Sequence, residues 1–436
     1  MAVCVEQRVD NHDLTITSTE VQQVGQILND TARNKLLILF TQCLSGTTKQ
    51  TACFREFDLV TQTLGSVVQI EADTNIQSKY YLHAALLLDG TIVVAYSLGG
   101  PGTGWRVRES TDHGLNWTTT LDFETGGVEE AVGLAARDNT LWMFSLNGSS
   151  AQDLYKRTRV SGNNWNAKEL IFNGSAAESW AFSQNAAQMA VLFADGTACV
   201  VGGRITGFSQ TAVKALYYNG FSWIESLIQS YGDTQDREPI VIEGASSRLW
   251  VMFIHRISLV YHLQVAYSDN AGTTWTFLGE PAGVVTPLPW DPDYSRAFAV
   301  DEVKNNAYAS TFDTSNNHRV FKGNATPPWA DYDQCGPVVD TGNNEVLPGE
   351  SVGHGLFVNG DFYRLYTKQQ GSGPAHYELW LLKHPSIGEV PPPVVDPGIS
   401  THRIYRRGTI QAVRLNDGTY AAAGLDEFPA APNFGD

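Results

Sequence analysis

The residues of this chain best suited to chemistry on a ligand are arginines, tyrosines, tryptophans and acids that gather in short polar segments. The segments are 74–81, 124–130, 175–185, 231–238 and 289–296. The candidate binding residues in them are Trp180, Tyr231, Arg237, Trp290, Tyr294 and Arg296. Arg204 adds another guanidinium group, and the forked guanidinium matches the geometry of a carboxylate. If Arg204, Arg237 and Arg296 converge, they would suit an acidic ligand.

Other chemistries have weaker support. Glu129 and Glu130 are adjacent, so on a strand they point to opposite faces and cannot flank one glycosidic bond. Asp291 and Asp293 provide only part of the oxygen ligand set of a calcium ion. The 10 histidines are scattered, and no nucleophile-elbow, Walker or dinucleotide motif is present. We therefore predict no metal and no cofactor.

The charge balance narrows the range of partners. The 436 residues include 46 acids against 29 lysines and arginines, a net charge of −17. Nucleic acid and anionic membranes require a basic surface, so neither is expected as a partner. The sequence shows no apolar run of transmembrane length and no secretory leader pattern, so neither membrane insertion nor export is predicted. Reduced thiols are favoured for the five cysteines, although Cys43 and Cys53 could face each other across a hairpin.

Two octets share one pattern of serine, acid or amide, glycine and tryptophan. The first octet, STDHGLNW, contains Ser110, Asp112, Gly114 and Trp117. The second octet, SDNAGTTW, contains Ser268, Asn270, Gly272 and Trp275. Two partial copies keep only the last pair, as Gly162/Trp165 and Gly220/Trp223. The four glycines are 48, 58 and 52 residues apart. Self-similarity at this period indicates a repeat architecture.

Each repeat reads as four antiparallel strands. HAALLLDGTIVVAYS (83–97) is a strand, an Asp-Gly turn and a strand, and the third and fourth strands flank the octet. Helical periodicity is nearly absent, so the sequence predicts an all-β propeller of four-stranded antiparallel blades. First strands near Gly25, His83, Ala131, Ala187, Pro239, Phe298 and Val352 give seven blades, with six or eight as alternatives.

The chain divides into four parts at its composition changes. We assign 1–20 to an N-terminal segment, 21–390 to the propeller, 391–398 to a Pro-rich linker and 399–436 to a C-terminal hairpin and tail. The hairpin at 410–424 has a strong Asp-Gly turn but only two strands, which are marginal alone. It would belong to an eighth blade, close the ring, or pack elsewhere.

The octet resembles the Asp box, the bacterial neuraminidase repeat of sialidases and related β-propellers. In that family the box caps the turn between the third and fourth strands of a blade. Ser110 and Asp112 are suited to binding backbone amides, Gly114 to a positive φ, and Trp117 to packing into the blade. We therefore expect the octets to stabilise the fold, since the motif specifies an architecture and not an activity.

The resemblance also implies where a site would lie. The octets and the first-to-second hairpin turns share one face of the ring, whereas the second-to-third loops and the connections between blades share the other, where propeller sites usually lie. Sialidases hold a carboxylate with three arginines and use a Tyr/Glu pair as nucleophile. For an enzyme, the resemblance implies catalytic roles for Arg204, Arg237, Arg296, Tyr231, Tyr294 and Glu238. However, the early Arg-Ile-Pro signature of the family is missing, because this region reads NDTARNKLLILF (29–40).

The sequence thus favours a non-catalytic propeller used for binding or assembly. A Thr-, Asn- and Gly-rich acidic composition is typical of phage virion proteins, such as a tail fibre, a receptor-binding protein or a decoration protein. We therefore expect a location in a virion, with the cytoplasm as the alternative. The expected partners are other virion proteins, sister chains or a surface glycan. The alternative functions are a sialidase-type glycoside hydrolase and a cytosolic scaffold.

Overall fold

Short apolar runs separated by Gly-, Asn- and Asp-containing turns form almost all of the secondary structure in this computed structural model. The structure describes residues 5–10, 25–43, 49–71, 76–77, 82–97, 105–123, 129–147, 153–160, 164–174, 179–181, 188–206, 209–230, 237–257, 260–280, 297–301, 305–312, 317–324, 330–337, 353–370, 376–384, 403–407, 410–414 and 420–423. Apart from one 3₁₀ turn, Ala245–Ser247, the regular elements in these ranges are β-strands. The described residues contain no helix with the length and hydropathy needed to cross a bilayer.

Seven four-stranded antiparallel blades form a ring, which confirms the predicted propeller. In blades 1, 3 and 4, two or three short strands together occupy one of the four strand positions. The first strand of the chain is β1 (Val5–Arg8), and blade 1 contains β2 (Gly25–Asp30), β3 (Lys35–Cys43), β4 (Lys49–Asp58), β5 (Thr63–Leu64), β6 (Val68–Gln69) and β7 (Ile76–Gln77). Blade 2 contains β8 (Leu82–Leu86), β9 (Ile92–Ser97), β10 (Trp105–Ser110) and β11 (Thr118–Phe123). Blade 3 contains β12 (Glu129–Arg137), β13 (Thr140–Asn147), β14 (Asp153–Val160), β15 (Asn164–Trp165) and β16 (Glu169–Phe172).

The remaining blades follow the same order. Blade 4 contains β17 (Ser179–Ala181), β18 (Ala190–Leu192), β19 (Ala198–Thr206), β20 (Ser209–Tyr218) and β21 (Trp223–Ser230). Blade 5 contains β22 (Arg237–Glu243), β23 (Leu249–Ile257), β24 (Val260–Ser268) and β25 (Thr276–Gly279). Blade 6 contains β26 (Ala297–Asp301), β27 (Asn306–Phe312), β28 (Asn317–Gly323) and β29 (Ala330–Pro337). Blade 7 contains β30 (Gly353–Val358), β31 (Asp361–Gln370) and β32 (His376–His384), with β1 as its outer strand.

The strands read as continuous apolar runs because neighbouring blades cover both faces of a blade. In β9, Val94 and Tyr96 pack in one core with Leu39 of blade 1. Val93 and Ala95, which alternate with them along the strand, pack in another core with Leu134 of blade 3. Because side chains alternate along a strand, one apolar run contributes to two interblade cores.

The N-terminal strand completes the last blade. The sequence interpretation placed residues 1–20 before the propeller, whereas β1 pairs antiparallel with β32, with Val5 opposite Lys383 and Arg8 opposite Trp380. Beyond this strand, Asp10 Oδ2 accepts a hydrogen bond from the amide of Leu379 at 2.6 Å. The two ends of the ring are therefore joined within blade 7.

A second unit, Gly388–Asp436, follows the unit Met1–Ile387. It contains a three-stranded antiparallel sheet of β33 (Arg403–Arg407), β34 (Ile410–Arg414) and β35 (Tyr420–Ala423). The predicted hairpin at 410–424 corresponds to β34 and β35, and β33 pairs with β34 as a further strand.

Two cysteine thiols are buried in the blades. Cys53 and Cys199 are free thiols, and the strand register sets Cys53 opposite Phe40 and Cys43 opposite Gln50. Burial raises the pKa of the Cys53 thiol to about 12. At neutral pH this thiol stays protonated, which makes it a poor nucleophile.

Candidate functional site

The two faces of the ring differ in what they expose. We name as the octet face the one that carries the turns 87–91 and 111–117 of blade 2, together with the equivalent turns of the other blades. The two turns are neighbours, since a Cβ placed on Gly90 would lie 3.4 Å from His113 Cε1. We name the opposite face, where β9 ends and β10 begins, the crossover face.

The backbone positions of four predicted site residues lie at strand ends on the crossover face. Trp180 and Arg204 are opposite each other in the pairing of β17 with β19 in blade 4. Arg237 is the first residue of the inner strand of blade 5, and Glu238 follows it. The side chains of these four residues are outside the described part of the structure, so their convergence stays a prediction.

The other predicted site residues lie outside the described ranges altogether. They are Tyr231, Trp290, Tyr294 and Arg296. Arg296 directly precedes β26, the inner strand of blade 6. The catalytic roles that the sialidase resemblance implies for Arg204, Arg237 and Arg296 are therefore not tested by the geometry.

The first octet forms a turn in which most polar side chains bind the backbone of the turn. Ser110 Oγ accepts the amide of Gly114 at 2.8 Å, and Asp112 Oδ1 accepts the amide of Asn116 at 2.8 Å. Gly114 has a φ of +88°. Trp117 Nε1 donates to the Gly114 carbonyl at 3.0 Å, and its ring packs edge-on against Phe54 of blade 1. The octet thus links its own turn to the preceding blade.

The serine and the asparagine of the second octet bind backbone amides in the same way in blade 5, whereas its tryptophan has a different partner. Ser268 Oγ accepts the amide of Gly272 at 2.9 Å, and Asn270 Oδ1 accepts the amide of Thr274 at 2.9 Å. Trp275 Nε1 donates to Ser226 Oγ of blade 4 at 3.1 Å. In both octets the serine and the Asp/Asn oxygens are used within the turn, which favours a structural role over ligand binding.

A buried charged cluster lies between blades 1 and 2 on the crossover side, and we refer to Glu71, Tyr96, Arg106 and Arg108 together as the Glu71 cluster. Glu71 Oε1 accepts hydrogen bonds from Arg106 Nη1 and, at 2.8 Å, from Arg108 Nη2. The Tyr96 hydroxyl donates to Glu71 Oε2. The register places Arg106 opposite Tyr96, near the ends of β9 and β10 at the crossover face. One carboxylate therefore binds two guanidinium groups and a phenol.

The members of the Glu71 cluster differ in their access to solvent. Tyr96 is buried, and burial, followed by the bond to Glu71, raises the pKa of its hydroxyl well above the usual range. The side chains of Glu71 and Arg108 are 7% and 9% exposed, whereas that of Arg106 is 23% exposed. Arg106 is thus the member of the cluster most accessible to a ligand.

Sequence reasoning missed the Glu71 cluster although one signal for it was present. In WRVRES, alternation places Arg106 and Arg108 on the same face of β10. Glu71 gives no comparable signal, because its contact with blade 2 depends on how two blades pack.

The described residues show no metal-binding arrangement. Nowhere in these ranges do three or more His, Cys, Asp or Glu side chains gather as ligands of an ion would. The calcium candidates Asp291 and Asp293 lie outside the described ranges.

Comparison with known proteins identifies the fold. No protein-family model matches the chain, and no curated protein matches it. The polysaccharide lyase Uly1 has a similar structure, with a TM-score of 0.56 and 10% sequence identity over 85% of this chain and 90% of that chain. The BP39L lectin from Burkholderia pseudomallei has a TM-score of 0.55 and 13% identity over 83% and 96%.

A sialidase is also among the similar structures. The Hadza microbial sialidase Hz136 has a TM-score of 0.43 and 12% identity over 76% of this chain and 73% of that chain. At these identities the similarities to the lyase and the lectin concern the fold alone and do not establish an activity.

Proposed function

We propose that this protein is a non-catalytic propeller that binds carbohydrate on its crossover face. The observation that carries the proposal is the contrast between the faces. The octets use their polar groups within their turns, whereas the Glu71 cluster holds a partly exposed guanidinium on the crossover side. The fold shared with a lectin and a polysaccharide lyase over more than four fifths of the chain supports a carbohydrate ligand.

The state of the Glu71 cluster supports binding without catalysis. Tyr96 and Glu71 form a hydrogen-bonded pair of the residue types that nucleophilic catalysis uses. However, the raised pKa of the Tyr96 hydroxyl keeps it protonated. Two arginines and the Tyr96 hydroxyl already bind the oxygens of the Glu71 carboxylate. Neither group is prepared to attack a sugar.

A glycan array with the full chain tests the proposal, alongside an assay for newly formed reducing ends. We expect at least one glycan to bind without being cleaved. Trp180→Ala or Arg237→Ala should weaken binding, because both positions lie on the crossover side. Leu88→Ser is the matched control, since Leu88 is 75% exposed in an octet-face turn. Absence of any glycan binding, or equal weakening by Leu88→Ser, would refute the proposal.

The biological setting we propose is a phage virion, in which the propeller serves as a tail-fibre, receptor-binding or decoration protein. Its support is compositional, namely the acidic balance and the abundance of small and polar turn residues. Mass spectrometry of purified virions tests this setting separately from glycan binding. Detection of the chain only in host cytoplasm would exclude it.

A further inference from the structure

We infer that the octet face of blades 1 to 4 is a docking surface for a protein partner that presents basic and apolar side chains. This face is opposite the crossover face, so the inference does not rest on the proposed carbohydrate binding. Its apolar part consists of four side chains at the tips of turns, which we call the apolar tips: Val60, Leu88, Leu115 and Phe221.

The apolar tips are the most exposed large apolar side chains among the described residues, with exposed fractions from 70% to 96%. Leu88 and Leu115 lie in the two octet-face turns of blade 2. Val60 and Phe221 lie in the third-to-fourth turns of blades 1 and 4. The other exposed large apolar side chains in the described ranges lie within strands and are at most 52% exposed. Side chains as exposed as the apolar tips add little to the core, and apolar residues gathered on one face are typical of protein interaction sites.

Equivalent turns in other blades show that the fold does not require apolar residues at these tips. Leu115 and Phe221 each follow the glycine of a Gly-x-x-Trp repeat, and the same position of the second octet is Thr273. Leu88 precedes an Asp-Gly turn, and the equivalent residue of blade 4 is Ala194. The turns that contain Thr273 and Ala194 are closed by backbone hydrogen bonds of 3.1 Å and 3.0 Å. Turns of this kind therefore form with a polar or small residue, and the apolar tips serve a purpose other than folding.

The backbone that carries the apolar tips is fixed by hydrogen bonds. Asn219 Oδ1 accepts the amides of Phe221 at 3.0 Å and of Ser222 at 2.9 Å. The amide of Leu88 donates to the Asp138 carbonyl at 2.8 Å, which joins the turn of blade 2 to that of blade 3. A partner therefore meets side chains on turns that are already ordered, and the entropic cost of docking is small.

The turns around the apolar tips are acidic. The described octet-face turns of blades 2, 3 and 4 are 87–91, 111–117, 138–139, 194–197 and 219–222. They contain no lysine or arginine and four aspartates, namely Asp89, Asp112, Asp138 and Asp195.

The cations close to these turns are bound to other acids. Arg137, which precedes the turn 138–139, pairs with Glu243 at 2.9 Å. Arg159 is bound to Glu109 at 2.6 Å. In blade 1, Arg33 Nη2 lies 2.6 Å from a Glu56 oxygen, and Lys35 pairs with Asp58. These cations thus leave the aspartates of blades 2 to 4 as the dominant charge around the apolar tips.

This charge favours a basic protein over the other possible occupants. Partners that associate specifically present complementary potentials, so the partner should carry lysines or arginines that face the aspartates. Two octet faces would bring aspartates together, which disfavours a face-to-face dimer of this chain. An anionic membrane would be repelled for the same reason. The apolar tips would be anchors in pockets of the partner, and the aspartates would contact its basic groups at the rim.

The experiment measures binding of two synthetic peptides to the full chain by calorimetry. One alternates lysine and leucine, and the other replaces leucine with serine at the same length and charge. We expect the lysine–leucine peptide to bind about tenfold more tightly, and its binding to weaken as salt rises. The triple variant Leu88→Ala/Leu115→Thr/Phe221→Thr introduces the residues of the equivalent turns. It should keep the thermal midpoint and weaken binding of the lysine–leucine peptide by about tenfold.

Two further variants separate the apolar and the charged contributions. Asp89→Asn/Asp138→Asn should reduce the salt dependence of peptide binding, because it removes two charges from the face. Leu227→Thr is the matched control, since Leu227 is 52% exposed on the outer strand of blade 4 and should not affect peptide binding.

Equal binding of the two peptides, unchanged binding by the triple variant, or equal weakening by Leu227→Thr would overturn the docking surface. A dimer of the chain, or binding to phosphatidylcholine vesicles, that the triple variant abolishes would show that the occupant is a second copy or a lipid surface and would equally overturn the basic protein partner. Glycan binding at the crossover face should be unchanged in the triple variant, so failure of one proposal leaves the other standing.

Discussion

Arg159 of blade 3 and Glu109 of blade 2 form a two-point ion pair across the boundary between their blades. Arg159 Nε lies 2.9 Å from Glu109 Oε1, and Arg159 Nη2 lies 2.6 Å from Glu109 Oε2. The Glu109 side chain is fully buried and that of Arg159 is 9% exposed. Glu109 directly precedes the first octet, so the pair fixes blade 3 beside the turn that links blade 2 to blade 1.

Removing one partner of this pair should destabilise the protein strongly. Arg159→Met leaves the buried Glu109 carboxylate without its guanidinium, which should lower the free energy of unfolding by about 3–5 kcal/mol. Urea denaturation measures this. The double variant Arg159→Met/Glu109→Leu should recover most of the lost unfolding free energy, since no buried charge then remains at this boundary. Lys35→Met is the control, because the Lys35–Asp58 pair is more exposed and its loss should cost far less. Equal losses of unfolding free energy in Arg159→Met and Lys35→Met would contradict a special contribution of the buried pair.

The glycines of the octets should differ in their tolerance of a side chain. Gly114→Ala forces a residue with a Cβ into a φ of +88° and against the Phe54 ring, which should cost about 2–4 kcal/mol. Gly220 in blade 4 has a similar φ of +93° but no atom within 4 Å of such a Cβ. Gly220→Ala should therefore cost only about 1–2 kcal/mol, the backbone strain alone. Thermal unfolding of both variants separates packing from strain, and equal losses would show that the contact with Phe54 contributes nothing.

The first octet should make the stability depend on acid pH. Hydrogen bonds from the backbone and side chain of Asn116 lower the pKa of Asp112 to about 2. The folded pKa is below the unfolded value of about 3.9, so the stabilisation is complete above the unfolded pKa and is lost as the pH falls towards 2. The stability difference between the wild type and Asp112→Asn should therefore shrink on acidification. Asn270→Asp in the second octet should introduce the same dependence there. A stability difference between the wild type and Asp112→Asn that stays constant with pH would contradict a lowered pKa of Asp112.

Local signals were sufficient for most of the fold. Asp89-Gly90 and Asp195-Gly196 mark hairpin turns, and both glycines have positive φ, so the repeated strand–turn–strand pattern could be read as blades. The closure by β1 could not be predicted. Its four residues carry no turn signal, and their partner strand lies more than 360 residues away in the sequence.

The Glu71 cluster shows where sequence reasoning stops at a site. The spacing of Arg106 and Arg108 predicts that both lie on one face of a strand. It does not predict which carboxylate meets them, because Glu71 reaches them only through the packing of blade 1 against blade 2. Pairing across such a boundary depends on tertiary structure and not on a local pattern.

The protein should lack exo-sialidase activity. The Arg-Ile-Pro signature is missing, and the described Tyr96–Glu71 pair is held by two arginines away from solvent. Incubation with a fluorogenic sialoside should therefore release no fluorophore above a boiled control. Turnover that Arg237→Ala or Arg296→Ala abolishes would reverse this conclusion and identify a hydrolase.

The ring should depend on its N-terminal strand. Deleting residues 1–10 removes the pairing of β1 with β32 and the bond from Leu379 to Asp10. It also leaves Arg55 without the Val9 carbonyl, to which its Nη1 donates at 2.7 Å. The midpoint of thermal unfolding should fall and the transition should broaden, because blade 7 loses its outer strand and the ends of the ring are no longer joined. Asp10→Ala should give a smaller loss in the same direction.

Truncation after Glu389 is the matched experiment at the other end of the chain. The outer position of blade 7 is already occupied by β1, and the strands β33, β34 and β35 pair among themselves. The truncated chain should therefore keep the unfolding midpoint of the propeller and the proposed glycan binding. If the C-terminal region is an attachment device, assembly with sister chains or other virion proteins is lost at the same time. Size-exclusion chromatography with light scattering separates these effects. A truncated chain that unfolds would show that the propeller needs the C-terminal strands, whereas one that folds and assembles like the full chain would refute the attachment role.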